Sequence, residues 1–201
     1  MAAHRLAWGN AASIQEFEME HHLPKGHALY QAGQTGHVWQ IQRGLMWLSA
    51  DQGQALTWLA LPGDMLGVET LCGEAYACTA VALKGTTLAR LSVDTQWGQF
   101  SVVAQGYLQQ QQRLRDMARL RSGTVGARIG HLLRMLALEF DGGERVLQRH
   151  ELPTLREMAQ LIDAKPETVC RELARWFPAR EDPRHKTAME RIHNAALGAA
   201  T

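Results

Sequence analysis

The chain has 201 residues, room for one large domain or two small ones. Its 46% hydrophobic content supports a globular core, and 20% charged residues excludes a disordered polyelectrolyte. The net charge of +1 hides an asymmetry: five basic and seven acidic residues through Val93, sixteen and thirteen after it. A near-neutral front and a mildly basic rear suit a sensing part joined to a part that meets nucleic acid. No apolar run is long enough to span a membrane, and Met1–Asn10 lacks a signal-peptide core, so a cytoplasmic protein is expected. Cys72, Cys78 and Cys170 form no CxxC pair and no disulfide framework, which fits a reducing compartment.

Taken in order, Asn10 to His21 reads as a short amphipathic helix that ends before Leu23-Pro24. From Gly26 to Ser92 the texture changes to short strands punctuated by glycine. Ala28–Tyr30, Val38–Ile41, Leu45–Leu48 and Ala55–Leu59 are strand candidates, with Gly33, Gly36, Gly44, Gly53 and Gly63 between them. Two more strands, Ala77–Leu83 and Thr87–Leu91, complete an antiparallel roll or barrel. Val93 to Arg121 is a long polar helix. In it Val103, Tyr107, Leu114 and Met117 recur near a heptad step, and Gln109 to Gln112 interrupt the apolar seam. After the Ser122-Gly123 break, Thr124 to Phe140 forms a further helix that turns Val125, Ile129, Leu132, Leu133 and Leu136 inward, before Asp141-Gly142-Gly143 stops it. Val146-Leu147 starts a short strand.

The stretch Thr154 to Trp176 holds two short helical patterns around a break at Asp163–Lys165. Thr154 followed three residues later by Glu157 is a capping box, and Leu155, Met158, Ala159 and Ile162 give the first helix one apolar face. Pro166 suits the first turn of the second helix, where its missing N–H would be unpaired anyway. Val169, Leu173 and Trp176 form that helix's buried stripe. Lys165, Glu167, Thr168, Cys170, Arg171 and Arg175 are left off it, as candidate DNA contacts. Two short helices with a tight turn make a helix-turn-helix. Glu167 and Arg171, four apart, share one face. A carboxylate accepts from cytosine N4, and a guanidinium forks onto guanine O6 and N7. The plainer alternative for the pair is an intrahelical salt bridge.

This stretch resembles the winged-helix module of the CRP/FNR family of bacterial transcription regulators. The recognition helix of that family carries E-[TS]-V-x-R, matched by Glu167-Thr168-Val169-Cys170-Arg171, after a first helix matched by Glu157 to Ile162. Asp163 stands where the family has Gly in the turn, and Lys165 where it has a Ser or Thr cap. Upstream, the spacing of Leu23, Gly26, Leu29-Tyr30 and Gly33, with Gly44 and Pro62-Gly63-Asp64, resembles the family's cyclic-nucleotide-binding roll. The resemblance implies an α+β protein in three parts: a β-roll at 1–93, a dimerisation helix at 94–121 and a helix-turn-helix domain at 122–201. It implies a cytoplasmic homodimer that binds palindromic double-stranded DNA with T-G-A-like half-sites and meets RNA polymerase. No cofactor, catalytic residue or metal site is expected. After Trp176 the resemblance fades. The wing is altered or absent, Ala188 to Leu197 looks helical, and Arg180, Arg184, His185 and Lys186 are left as possible phosphate contacts.

In nucleotide-binding members a G-E pair contacts ribose, and an R-[ST]-A triplet sends an arginine to the cyclic phosphate. Here Gly67-Val68-Glu69 and Cys78-Thr79-Ala80 stand at those places, with no basic side chain between them and Lys84 beyond the cassette. Tight binding of cyclic AMP is therefore not expected. The four-cysteine cluster arrangement of oxygen-sensing relatives is missing. Cys72 and Cys78 read as small buried side chains, with oxidation or haem ligation the alternative. A cupin-like metalloenzyme is the competing reading for the roll, but it needs a converging H-x-H and glutamate that Gly26 to Ser92 lacks. His21, His22, His27 and His37 are read as surface or hydrogen-bonded groups. A third reading is an adaptor that does not touch DNA.

Overall fold

The computed structural model describes residues 16–50, 57–137, 147 and 149–177. Eight strands come first: β1 (Glu16–Leu23), β2 (Ala28–Tyr30), β3 (Val38–Arg43), β4 (Met46–Ser49), β5 (Thr57–Ala60), β6 (Met65–Leu66), β7 (Thr79–Ala82) and β8 (Thr86–Ser92). They form two four-stranded sheets, in the orders β1-β8-β3-β6 and β2-β7-β4-β5, with every pairing antiparallel. Alternate residues of both sheets meet inside. Ile41, Leu66 and Leu88 from one sheet pack with Tyr30, Met46, Leu48, Ala80 and Ala82 from the other. A short 3-10 helix at Val68–Cys72 interrupts the roll between β6 and β7.

The segment expected as a helix over Asn10 to His21 is corrected where it is described: Glu16–Leu23 is strand β1. Glu16, Phe17, Glu18, Met19 and Glu20 alternate acidic with apolar positions at a period of two, which is the strand pattern, and His21 breaks it. It pairs with β8, with a register shift between Glu18 and Glu20. The short strand β6 has no counterpart among the expected elements, because its two residues leave no periodicity to read. Leu147, the described half of the expected Val146-Leu147 strand, is buried but lies outside any strand. The expected glycine stop at 141–143, the helix at Ala188 to Leu197 and the cations from Arg180 onward lie outside the described residues.

Four helices follow: α1 (Gln96–Arg121), α2 (Val125–Ala137), α3 (Leu155–Leu161) and α4 (Pro166–Trp176). One apolar cluster joins them to the roll. Leu45, Leu59, Leu61 and Leu83 of the roll pack with Met117 and Leu120 of α1, Ile129 to Leu136 of α2, and Met158, Val169 and Leu173 of α3 and α4. The helix-turn-helix therefore sits on a shared core, and burial of these side chains is what fixes its place. Among the described residues, no helix is long and apolar enough to cross a membrane.

A candidate nucleic-acid interface and a closed roll

The capping box at the start of α3 forms as its residue types dictate. The Glu157 amide donates to Thr154 Oγ1 at 3.2 Å, and the Thr154 amide donates to Glu157 Oε2 at 2.6 Å. Burial alone would raise the Glu157 carboxyl. The Thr154 amide and hydroxyl, with the Lys25 ammonium 3.2 Å away, outweigh it and hold the group below its ordinary value. Asp163 takes the left-handed conformation, φ 50°, that the turn between α3 and α4 requires. At α4, Lys165 makes no side-chain cap. Its carbonyl instead accepts from the Thr168 and Val169 amides at 3.0 and 3.1 Å.

Val169 and Leu173 bury one side of α4, which turns the other to solvent. Lys165, Glu167, Arg171 and Arg175 are exposed on that side, while Thr168 and Cys170 are half-buried at its flank. Among the described residues no ion pair joins Glu167 to Arg171. The pair that does form on this helix is Arg175 Nη1 with Glu172 Oε2, at 2.8 Å. The carboxylate and guanidinium one turn apart thus both face solvent, with no bond to each other among the described residues.

The interior of the roll is occupied by its own side chains. The ring of Tyr76 stacks on that of Tyr30, with centroids 3.7 Å apart, and its hydroxyl donates to the His37 carbonyl at 2.8 Å. Glycine at 36 and 67 is what admits this ring: a Cβ at either position would lie 2.4 Å from a Tyr76 atom. Glu69, at the place of the ribose contact in nucleotide-binding members, accepts from the Ala77 amide at 3.0 Å. Cys78 is buried where the phosphate arginine was expected. Its burial, with the nearby Glu69 carboxylate, pushes its thiol up to about 11. Cys72, read as buried in the sequence, is exposed, because the 3-10 helix that carries it buries none of its residues. His21 and His37 lie against Trp39, and His22 Nδ1 is 2.9 Å from Thr87 Oγ1. Among the described residues no three potential ligands gather as a metal site.

Helix α1 carries what sequence reasoning missed. Its inner face sets polar groups among the buried Val102, Met117 and Leu120. Gln109 donates to the Met65 carbonyl at 2.9 Å and accepts from the Met65 amide at 2.7 Å. Arg113 forks onto Asp64 with bonds of 2.7 and 2.8 Å, and reaches Asp116 at 3.1 Å. His131 of α2 completes the group, with Nε2 3.2 Å from Asp116 Oδ1. Burial works to raise Asp116, but His131 and Arg113 together hold its carboxyl below the ordinary range. A groove of about 260 Å³ beside these residues is lined by Asp64, Met65, Gln105, Gln109 and Arg113. Three of its lining residues, Asp64, Gln109 and Arg113, belong to the same network.

The outer face differs from the expected seam. Met117 is buried in the shared core, and Val103 is only half-exposed. Trp97, Phe100, Tyr107 and Leu114 are more than half exposed, and with Ala104, Gln111 and Ala118 they repeat at alternating steps of three and four. Trp97 and Phe100 stack at 5.7 Å. The expected seam mixed two faces because a single helix satisfies the three-and-four rule on both.

Residues 20–101 match the family model of the cyclic nucleotide-binding domain. Among solved structures, the chain is similar to a CRP-family transcriptional regulator of Thermus thermophilus. The identity is 23% and the TM-score 0.61, over 88% of this chain and 96% of that one. FixK2 of Bradyrhizobium japonicum is similar at 18% identity and TM-score 0.62, over the same shares. The fold is that of the CRP/FNR regulators. A second regulator of Thermus thermophilus, of the CRP/FNR family, agrees at 21% identity and TM-score 0.57, over 89% of this chain and 98% of that one. No curated protein sequence matches. In this fold the roll, the long helix and the two helices α3 and α4 occur in the order expected from the sequence.

Proposed function

We propose that the chain is a cytoplasmic, non-enzymatic transcription regulator that binds palindromic double-stranded DNA as a homodimer and acts with RNA polymerase. It works in three parts: a roll at 1–93, a dimerisation helix at 94–121 and a reader at 122–201. The observation that carries this is the solvent face of α4, where Glu167 and Arg171 stand one turn apart and unpaired among the described residues. Lys165 and Arg175 flank them as phosphate contacts, with Thr168 and Cys170 beside the base readers. The exposed row Trp97, Phe100, Tyr107 and Leu114 supports a parallel seam with a second copy. Two copies present two recognition helices to successive major grooves, about 10 bp apart.

The reader works without cyclic AMP. What supports this is the Tyr76 ring held between Gly36 and Gly67, together with Cys78 in place of a cation. The experiment is a band shift with the purified chain and a duplex carrying two inverted T-G-A cores, with and without cyclic AMP. Binding to that duplex over a scrambled one, unchanged by the nucleotide, is expected. Equal binding to both duplexes would leave α4 as a surface helix of an adaptor.

A further inference from the structure

Two breaks in the chain lie between α1 and α4: Gly123, between α1 and α2, and Ile162-Asp163, between α3 and α4. Both are tied to one side chain. Arg128, half-buried on α2, donates from Nε to the Gly123 carbonyl at 3.1 Å. From Nη1 it donates to the carbonyls of Ile162 and Asp163, at 3.0 and 3.1 Å. The chemistry suits the place. Carbonyls at the end of a helix have no intrahelical partner, and a positive group there is favoured by the helix dipole. A guanidinium brings five donors in a rigid fork and no acceptor, so it can serve two separate breaks at once. Both breaks also carry backbone that needs holding, with Gly123 at φ 78° and Asp163 at φ 50°.

We infer that Arg128 is a positioning residue, setting the angle at which α4 is presented relative to α1 by bridging the two breaks. The inference rests on the DNA-reading role of α4. In a two-fold dimer that angle sets the distance between the two recognition helices, and hence the spacing of half-sites that fits. Arg128 itself points at backbone carbonyls, so its loss should leave base preference within a half-site intact.

The test uses the full chain and three versions of it: unchanged, Arg128→Ala and Arg128→Lys. Hydrogen exchange is followed over residues 159–168, with residues 129–136 of α2 as the internal reference. Binding is measured on duplexes with two inverted T-G-A cores at stepped separations around 10 bp, and on a duplex with one core. For Arg128→Ala we expect about tenfold faster exchange at 159–168, with the α2 reference unchanged. We expect a flattened spacing preference and single-core affinity kept within about twofold. Arg128→Lys keeps the charge, but one ammonium on a shorter reach cannot bridge both breaks, so it should flatten the spacing preference as alanine does. Unchanged exchange in both variants, an unchanged spacing preference, or full rescue by lysine overturns the inference. If the unchanged chain prefers neither core nor spacing, the DNA-reading role of α4 falls, while the exchange arm still decides whether Arg128 clamps the turn.

Discussion

The outer face of α4 and the inner face of α1 are both rich in polar side chains, and they use them in opposite ways. On α4, Glu167 and Arg171 stand in solvent and form no ion pair with each other. On α1, Gln109, Arg113 and Asp116 are each committed to an atom of the same chain. Polar groups left to water can exchange it for a partner, whereas buried ones bonded within the chain hold the fold. By that measure the solvent face of α4 is open, and the side of α1 that meets the roll is closed.

The contrast breaks most visibly at Asp64. Asp64→Ala leaves the Arg113 guanidinium without its forked acceptor, and urea unfolding should show a loss of about 3–5 kcal/mol. Arg171→Ala should leave stability within about 0.5 kcal/mol. The same variant should lose about 1–3 kcal/mol of binding to a T-G-A duplex, and relax the preference at the guanine, by titration at fixed salt. An Arg171→Ala protein that keeps full discrimination would make α4 as closed as α1.

Smaller effects sharpen the same line. Thr154→Ala removes half of the capping box and should cost about 1 kcal/mol in thermal or urea unfolding. Glu157 is held below its ordinary value in the folded chain. Its contribution is therefore present above the unfolded carboxyl value and lost as pH falls through the folded one, which lies below the ordinary glutamate range. Glu157→Gln still accepts from the Thr154 amide but cannot titrate. Its unfolding midpoint should change less between pH 7 and acid than that of the unchanged chain. Least of all, the cysteines should differ in rate toward a thiol reagent at neutral pH. Exposed Cys72 should react first and Cys78 last, because burial and Glu69 keep Cys78 protonated.

The helix-turn-helix was legible because its signals are local. A Thr154–Glu157 box, Pro166 at a first turn and the spacing of Val169 and Leu173 each act within one or two turns of helix. Most strands of the roll were legible through the glycines between them. What stayed hidden depends on residues far apart in the chain. Gln109 meets Met65 across 44 positions and Arg113 meets Asp64 across 49, so Gln109 read only as an interruption of an apolar seam and Arg113 carried no signal at all. The tyrosine filling of the roll was hidden for the same reason. Nothing in the local sequence brings Tyr76 beside Tyr30, Gly36 and Gly67. The alternation in Glu16–Leu23 was there to read, and the histidines at its end obscured it.

The bond pair between Gln109 and Met65 has a consequence for the protein in concentrated solution. β6 is the last strand of its sheet, and a free strand edge invites pairing with another chain. The carboxamide of Gln109 offers that edge one donor and one acceptor, as a neighbouring peptide group would. A helix thus stands in for a fifth strand, and it blocks the docking of a foreign one. Removing that amide would show itself first as turbidity on standing, through sheet-to-sheet growth of aggregates, before any change at α4.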